Sequence, residues 1–158
     1  MELTTLQNKL NSYKNGTFVK VVWEKDVASA KAKKQGISVI KRCEGIVRAG
    51  ITYANIELVK SLMSQSMEEE REHKSSWFEH VGKGIVQHKQ NADKKYLQLF
   101  FVNNKKIKST FTLMSGEKVN ANDLYEQGLI TKADLSKQSN EPMITMTVSI
   151  DNIVSFGK

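Results

Sequence analysis

The first residues of the chain change from a helical to a strand-like pattern of apolar positions. Leu3, Leu6 and Leu10 recur at the spacing of one helix face, and Asn15-Gly16 ends that pattern. The segment 19–24 then follows the two-residue period of a strand with one buried face. The sequence therefore predicts an amphipathic helix of about three turns, followed by a strand.

The next two segments predict a short helix and a strand pair. The segment 26–34 begins with a capping aspartate, Asp26, and continues with three alanines and a lysine cluster, which predicts a short helix with a basic face. In the segment 37–51, β-branched residues are frequent but charged residues break the alternation. We favour two strands broken near Gly45, and a helix over residues 39–48 is the alternative.

The middle of the chain combines a helical stripe with a polar stretch. A helix should begin at Tyr53 or Ala54, with Asn55 as its cap. Polar residues dominate the segment 64–76, which offers little apolar area to order it, and we expect this segment to be mobile.

The second half of the chain is mainly strand-like. Strands are predicted at 85–88, 96–102 and 106–113, with turns at Asn91-Ala-Asp93 and Asn103-Asn104. In the third strand, Ile107, Phe111 and Leu113 share one face, and Lys106 and Lys108 lie on the other. Asn122 should cap a short helix, and Thr131 to Asp134 should begin another turn of helix. Alternation over 144–150 and the apolar residues of 153–156 predict two closing strands.

This order of elements lacks the regular helix-strand alternation of a parallel sheet, and hairpin-length turns dominate its second half. We therefore predict an α+β fold with a few short helices and a curved antiparallel sheet. A barrel-like sheet is one form that this prediction allows. A length of 158 residues fits a single domain spanning 1–158.

Positive charge is concentrated in one part of the chain. The net charge is +7, and the segment 83–108 contains seven lysines and one acid, Asp93. The apolar residues of this segment are typical of paired strands, so we expect these lysines to share one rigid hairpin. Such a cationic surface favours polyanions, and nucleic acid is the partner expected, either DNA or RNA, without strong sequence specificity. A solvated lysine-rich surface is the competing interpretation.

The nucleic-acid hypothesis combines lysines with arginine forks and exposed aromatic rings. The stacking rings would be Tyr96 and Phe100 if they face outward, whereas burial of both faces of their strand would place them in the core. Trp23 and Trp77 are predicted to be core residues. The candidate binding residues are Arg42, Arg48, Lys89, Lys94, Lys95, Lys105, Lys106, Lys108, Tyr96 and Phe100.

Residue patterns for catalysis are sparse. Glu69, His73 and His80 have spacings that one helical face could use for a metal, but the acidic run is more typical of a solvated helix end. Neither a phosphate-binding glycine loop nor a dinucleotide fingerprint is present in the sequence. We expect no enzymatic activity, no catalytic residue, no metal site and no cofactor. A metal-dependent nuclease is the remaining alternative: it needs two or three carboxylates around a divalent ion, and the available acids, which also suit caps and turns, are Asp123, Glu126, Asp134 and Asp151.

Cellular location follows from cysteine content and hydropathy. Cys43 is the single cysteine, so no internal disulfide can form, and a small buried thiol in a strand is expected. No run approaches the ~20 apolar residues that cross a bilayer, so we expect a cytoplasmic protein without a membrane partner.

Three stretches carry a resemblance: the run Val47-Arg48-Ala-Gly50-Ile51-Thr-Tyr53-Ala-Asn55-Ile56, the lysine-rich early strand and the closing run from Met143 to Ile153. They resemble a type of small basic protein from gut bacteriophages. The resemblance attaches no activity and no site residue, but it implies a mobile-element setting. Small basic proteins in that setting handle DNA or disable a host defence enzyme.

Two hypotheses follow from these observations. The first is a non-enzymatic nucleic-acid-binding accessory protein of a phage or other mobile element, which would hold the phosphate backbone. The alternative is a counter-defence protein that inhibits a host CRISPR or restriction nuclease by protein–protein binding. Its partner-binding residues would be Glu68, Glu69, Glu70 and Glu72.

Overall fold

The computed structural model describes residues 1–51, 77–100, 107–134 and 145–158. Within these ranges the helices are α1 (Leu3–Ser12), α2 (Ala30–Lys34) and α3 (Ala121–Glu126), and 3-10 turns cover Lys132–Asp134 and Ile150–Asn152. The strands are β1 (Phe18–Asp26), β2 (Val39–Arg48), β3 (Phe78–Gly82), β4 (Ile85–His88), β5 (Asn91–Phe100), β6 (Ile107–Leu113), β7 (Lys118–Val119), β8 (Thr145–Ser149) and β9 (Ile153–Gly157).

The strands form two antiparallel sheets. Sheet A has the order β7-β6-β2-β1-β9, and sheet B has the order β3-β4-β5-β8. The α+β class predicted from the sequence is confirmed. The strands described here do not close into a barrel, because β5 and β6 belong to different sheets and do not pair with each other.

Strand β2 corrects the prediction for the segment 37–51. It is one unbroken strand, neither a pair broken near Gly45 nor a helix. Gly45 pairs with Val21 of β1 on one side and with Ile107 of β6 on the other. The β1–β2 ladder continues through the glycine to Arg48, and the β2–β6 ladder reaches the glycine as its last pair. This long-range pairing outweighs the low intrinsic strand preference of glycine.

Two helix caps and one turn lie elsewhere than predicted. Ser29, not Asp26, caps α2, since its hydroxyl accepts a hydrogen bond from the Ala32 amide at 3.1 Å. Asn120, not Asn122, caps α3 by accepting from the Asn122 amide at 2.8 Å. The predicted turn at Asn91-Ala-Asp93 belongs to β5, and the chain reverses just before it, at residues 89–90.

Several other elements agree with the sequence pattern. Helix α1, strands β1, β4, β8 and β9, and the alternation of β6 lie where they were predicted, and the turn after Thr131 is a 3-10 turn. The helix predicted from Tyr53 or Ala54, the mobile segment 64–76 and the turn at Asn103-Asn104 lie outside the described residues.

The larger core joins both sheets and α1. Helix α1 contributes Leu6 and Leu10, and β1 contributes Trp23, which is 5% exposed, as predicted for a core residue. Burial of each large aliphatic side chain contributes about 1.5–3 kcal/mol. Cys43 is the buried strand thiol that the sequence predicted. The remaining buried members are Val19, Val21, Val47, Ala49, Ile85, Leu97, Leu99, Val148, Ile150, Ile153 and Phe156.

A smaller core lies at the other end of sheet A. It is built from α2, α3, the ends of β2 and β6, and the loops beside them. Its buried members are Val27, Ala28, Ala32, Val39, Phe111, Leu124, Leu129 and Ile130.

Candidate nucleic-acid interface

The lysines expected to share one hairpin are divided between two sheets. Lys94 and Lys95 lie on β5 in sheet B, whereas Lys108 lies on β6 in sheet A, directly opposite Glu44. Lys94 and Lys95 are consecutive, so the strand period sends them to opposite faces. The single lysine-rich hairpin is therefore wrong for the described residues. Lys105 and Lys106 lie outside them.

Two of the lysine ammonium groups are held by backbone carbonyls. Lys83 Nζ donates to the Tyr13 carbonyl at 2.6 Å, and Lys95 Nζ donates to the Ala92 carbonyl at 3.1 Å. Lys89 and Lys94, by contrast, are exposed around the β4–β5 turn. These two lysines are the cations of sheet B best placed to meet a phosphate backbone.

Arg42 lies in a charge network on the outer face of sheet A, the face turned away from the larger core. Its Nη1 atom lies 3.0 Å from Glu24 Oε1, and its Nε atom lies 3.7 Å from Glu44 Oε1. Glu44 Oε2 is also 3.5 Å from Lys20 Nζ. The carboxylates of Glu24 and Glu44 thus compensate the positive charge of Arg42, which was expected to bind phosphate.

Arg48 is packed against its own strand pair. Its guanidinium carbon lies 4.3 Å from the centre of the Phe18 ring, directly across the β1–β2 ladder, and Nη1 donates to the Gly16 carbonyl at 3.2 Å. Its Nε atom is buried without a hydrogen-bond partner among the described residues. Phosphate binding by Arg42 and Arg48 stays a prediction.

Phe100 is a core residue, which corrects the expectation that it faces outward. It is 1% exposed, and its neighbours Leu97, Gln98 and Leu99 are buried as well. The end of β5 is therefore covered on both faces, which is the alternative that the sequence left open. Tyr96, nearer the start of the strand, is half-buried.

A row of aromatic rings lies on one face of sheet B. The ring of Phe78 meets Tyr96 edge to face, with centroids 5.4 Å apart, and meets His88 at 5.6 Å. Trp77 extends the row, with its ring 6.2 Å from His88. Trp77 is 50% exposed, which shows that its prediction as a core residue is wrong.

Strand pairing explains why these rings meet. Phe78 pairs with His88, and Val86 of the same β4 strand pairs with Tyr96, so the rings share one face across three strands. Lys94 precedes Tyr96 by two residues and so follows the same face of β5. The Lys89 amide donates to the Trp77 carbonyl at 2.9 Å, which places Lys89 beside the exposed end of the row.

The two histidines of this hairpin have defined environments. His88 Nδ1 accepts a hydrogen bond from the Gln90 amide at 3.2 Å. Burial lowers the pKa of His80 below its ordinary value, which favours the neutral ring of His80 near neutral pH.

Neither a metal centre nor a membrane helix is found in the described part of the chain. No three residues of the His, Cys, Asp and Glu types are grouped there to hold a metal ion. Glu69 and His73 of the weighed metal site, and the acidic residues Glu68, Glu69, Glu70 and Glu72, lie outside the described residues. No helix within the described ranges has the length and apolar character needed to span a bilayer.

The candidates predicted from the sequence did not include three rings of the aromatic row, Trp77, Phe78 and His88. The available signal was the position of Trp77-Phe78 between a polar segment and the β3–β4 hairpin, where an aromatic residue can lie at the rim of a sheet.

Comparison of the chain with protein families, with curated proteins and with solved structures found no match.

Proposed function

We propose that the protein is a non-enzymatic nucleic-acid-binding protein that takes single-stranded DNA or RNA on the aromatic row of sheet B, next to the β4–β5 turn. The observation that carries this proposal is the aromatic row of Trp77, Phe78, His88 and Tyr96 with Lys89 and Lys94 beside it. The mobile-element setting implied by the phage resemblance is part of the proposal.

The aromatic row supports single strands because unpaired bases expose the faces that rings can stack on. Stacking contributes about 1–3 kcal/mol per base and tolerates any sequence. Trp77 exposes half of its surface, and edge-to-face contacts hold the rings of Phe78 and Tyr96 in fixed orientations. A rigid ring loses little conformational entropy when a base is placed against it.

The charge of the chain supports a polyanionic ligand. The net charge of +7 attracts phosphates at long range, and Lys89 and Lys94 are exposed next to the rings. In this arrangement the rings take the bases, and the two ammonium groups take neighbouring phosphates.

The first test compares two exposed aromatic residues, one in the aromatic row and one away from sheet B. Trp77→Ala should weaken binding of a labelled single-stranded oligonucleotide about 5- to 150-fold, measured by fluorescence anisotropy at low salt. The control is Tyr125→Ala, since Tyr125 is 43% exposed but lies on α3. Equal losses in the two variants, or no loss in Trp77→Ala, would contradict the proposed site.

The second test separates phosphate contacts from stacking. The double variant Lys89→Gln/Lys94→Gln should flatten the dependence of log affinity on log salt by about 1.4, which is about 0.7 for each phosphate on a single strand. Trp77→Ala should leave that slope nearly unchanged. A duplex of the same sequence should bind the unaltered protein more weakly than the single strand, and preference for the duplex would overturn the single-strand assignment.

A further inference from the structure

Two lysines face each other on the inner side of sheet A, the side that carries its buried residues. Lys25 of β1 is directly opposite Lys41 of β2 in the register of the two strands. The same cross-strand row continues through Phe111 of β6 to Val119 of β7. Residues at directly opposed positions have Cβ atoms about 4.5–5.5 Å apart, so the two lysine side chains leave the sheet next to each other.

The lysine pair lies between the two cores. Two residues along the strands in one direction, the same face carries Trp23 and Cys43, which belong to the larger core. Two residues along β2 in the other direction it carries Val39, which belongs to the smaller core. Lys41 is half-buried, and its ammonium lies 5.7 Å from the centre of the Phe111 ring. That ring offsets part of the charge of Lys41 and leaves Lys25 exposed beside it.

No carboxylate described here neutralises the pair. Neither lysine takes part in an ion pair among the described residues. By strand alternation the nearest acids, Glu24 and Asp26, lie on the other face, where Glu24 is paired with Arg42. The Asp26 carboxylate instead accepts hydrogen bonds from the amides of Ala28 and Val39. Like charges directly opposed across strands repel each other, so an anion placed between them would gain from both.

We propose that Lys25 and Lys41 form a binding site for a phosphate group, separate from the aromatic row of sheet B. Two lysine side chains that leave the sheet this close together can bring their ammonium groups to different oxygens of one tetrahedral oxyanion. Bound phosphate also removes the repulsion between the two lysines, and this coupling distinguishes the pair from scattered surface lysines.

The test measures phosphate binding by thermal unfolding at matched ionic strength. Sodium phosphate should raise the Tm of the unaltered protein above its Tm in sodium chloride. Lys25→Gln should weaken phosphate binding about tenfold, the size expected for one charge-assisted hydrogen bond. Lys25 is chosen because it is exposed and because its replacement keeps the contact of Lys41 with Phe111.

Lys118→Gln is the matched control. Lys118 is exposed on β7 of the same sheet, opposite Thr112, and its loss changes the net charge by the same amount. This variant should bind phosphate as the unaltered protein does. In dilute chloride, Lys25→Gln should be at least as stable as the unaltered protein, because it removes the repulsion.

The phosphate group has two possible sources, and the oligonucleotide affinity of Lys25→Gln distinguishes them. If the site serves a nucleic-acid backbone, Lys25→Gln also weakens binding of the oligonucleotide; if it serves free phosphate compounds, oligonucleotide affinity is unchanged while phosphate affinity falls. Equal phosphate affinity in Lys25→Gln and the unaltered protein, no phosphate effect on the unaltered protein, or a lower Tm of Lys25→Gln in chloride would overturn the proposal. Because inorganic phosphate is the probe, this result is independent of the oligonucleotide tests.

Discussion

Asp26 connects the end of β1 to the two segments that follow it. Its Oδ1 atom accepts hydrogen bonds from the Ala28 amide at 3.0 Å and from the Val39 amide at 3.3 Å. One carboxylate oxygen thus ties the last residue of β1 to the loop before α2 and to the first residue of β2. The bond from the Ala28 amide is the largest cause of a pKa below the ordinary value of 3.8 for this carboxyl.

The lowered pKa of Asp26 predicts a pH-dependent loss of stability. Because the folded pKa is below the unfolded one, the contribution is fully present above about pH 4 and disappears as the pH falls through the folded pKa. Asp26→Asn keeps an acceptor oxygen and removes the titration. The difference in the free energy of unfolding between the unaltered protein and Asp26→Asn, from urea titrations at about pH 6 and pH 3, should shrink at the lower pH.

A second variant checks the Asp26 hydrogen bonds themselves. Asp26→Ala removes the acceptor and should cost about 1 kcal/mol near neutral pH, as the loss of a capping side chain does. Asp93→Asn controls for the loss of one negative charge on an exposed residue. A difference between the unaltered protein and Asp26→Asn that stays constant with pH would contradict the prediction.

At the scale of single residues, the sequence predicted side-chain periods better than burial. Tyr96 and Phe100 lie on one face, as their spacing requires, yet the first is half-buried and the second is fully buried. Spacing along a strand defines which residues share a face but not what covers that face. The rim position of Trp77 was missed for the same reason, since its exposure depends on the edges of a tertiary structure.

At the scale of elements, three turns meet at Gly50. The Lys83 side chain, from the β3–β4 turn, crosses over Gly50 to donate to the Tyr13 carbonyl after α1. Gly50 has φ +73°, and a Cβ at this position would lie 2.6 Å from both Asn15 Oδ1 and Lys83 Cε. The glycine is therefore needed both for its backbone conformation and for the space above it.

Gly50→Ala should destabilise the protein more than Gly36→Ala does. Gly36 has a similar φ of +70°, but a Cβ there has no neighbour within 4 Å, so its replacement costs the backbone strain alone, about 1–2 kcal/mol. Replacement of Gly50 adds the displacement of Lys83 from the Tyr13 carbonyl, a further ~1 kcal/mol. Urea denaturation measures both values, and equal costs at the two glycines would contradict the role given to Lys83.

The sequence predicted most strands but not their partners. Alternation located β1 and β8, and short apolar runs located β4 and β9, because both patterns are local properties of the sequence. Pairing of β2 with β6 and of β5 with β8 joins segments distant in sequence, so a hairpin of β5 and β6 was the natural but wrong expectation. The ladder between β1 and β2, which also joins segments distant in sequence, made β2 a continuous strand through Gly45.

At the scale of the whole molecule, the charges summed over each segment of the sequence are a poor guide to the charge of the folded surface. Glu44 is in contact range of Lys20 and Arg42 and stands opposite Lys108, three cations from three strands. Summing charges along the sequence placed Arg42 and Lys108 among free cations, whereas folding brings acids to them. The candidate site thus shares Lys89, Lys94 and Tyr96 with the residues predicted from the sequence, whereas its other rings were not predicted.

The shared core predicts that the two sheets unfold together. Residues of α1, sheet A and sheet B contribute to one cluster, so loss of either sheet would expose the side chains of the other. In Trp77→Phe the remaining tryptophan is Trp23, which is buried in sheet A. Its fluorescence and the far-ultraviolet circular dichroism of the same variant should give one urea midpoint.

Separate midpoints would contradict the single cooperative unit and, with it, the prediction of one domain over residues 1–158. The unaltered protein, followed by circular dichroism alone, is the control for any effect of the substitution. Trp77 is suited to replacement because it is half exposed and outside the shared core.

The passage from β8 to β9 has a consequence for protein synthesis. Strand β8 is an edge strand of sheet B, and β9 is an edge strand of sheet A. Ile150, between the two strands, and Ile153 and Phe156 of β9 belong to the shared core. A nascent chain that has not yet released residues 145–157 from the ribosome therefore lacks an outer strand on both sheets at once. Until this segment has emerged, β1 and β5 each have an unpaired edge, and unpaired strand edges are sites of association with other chains.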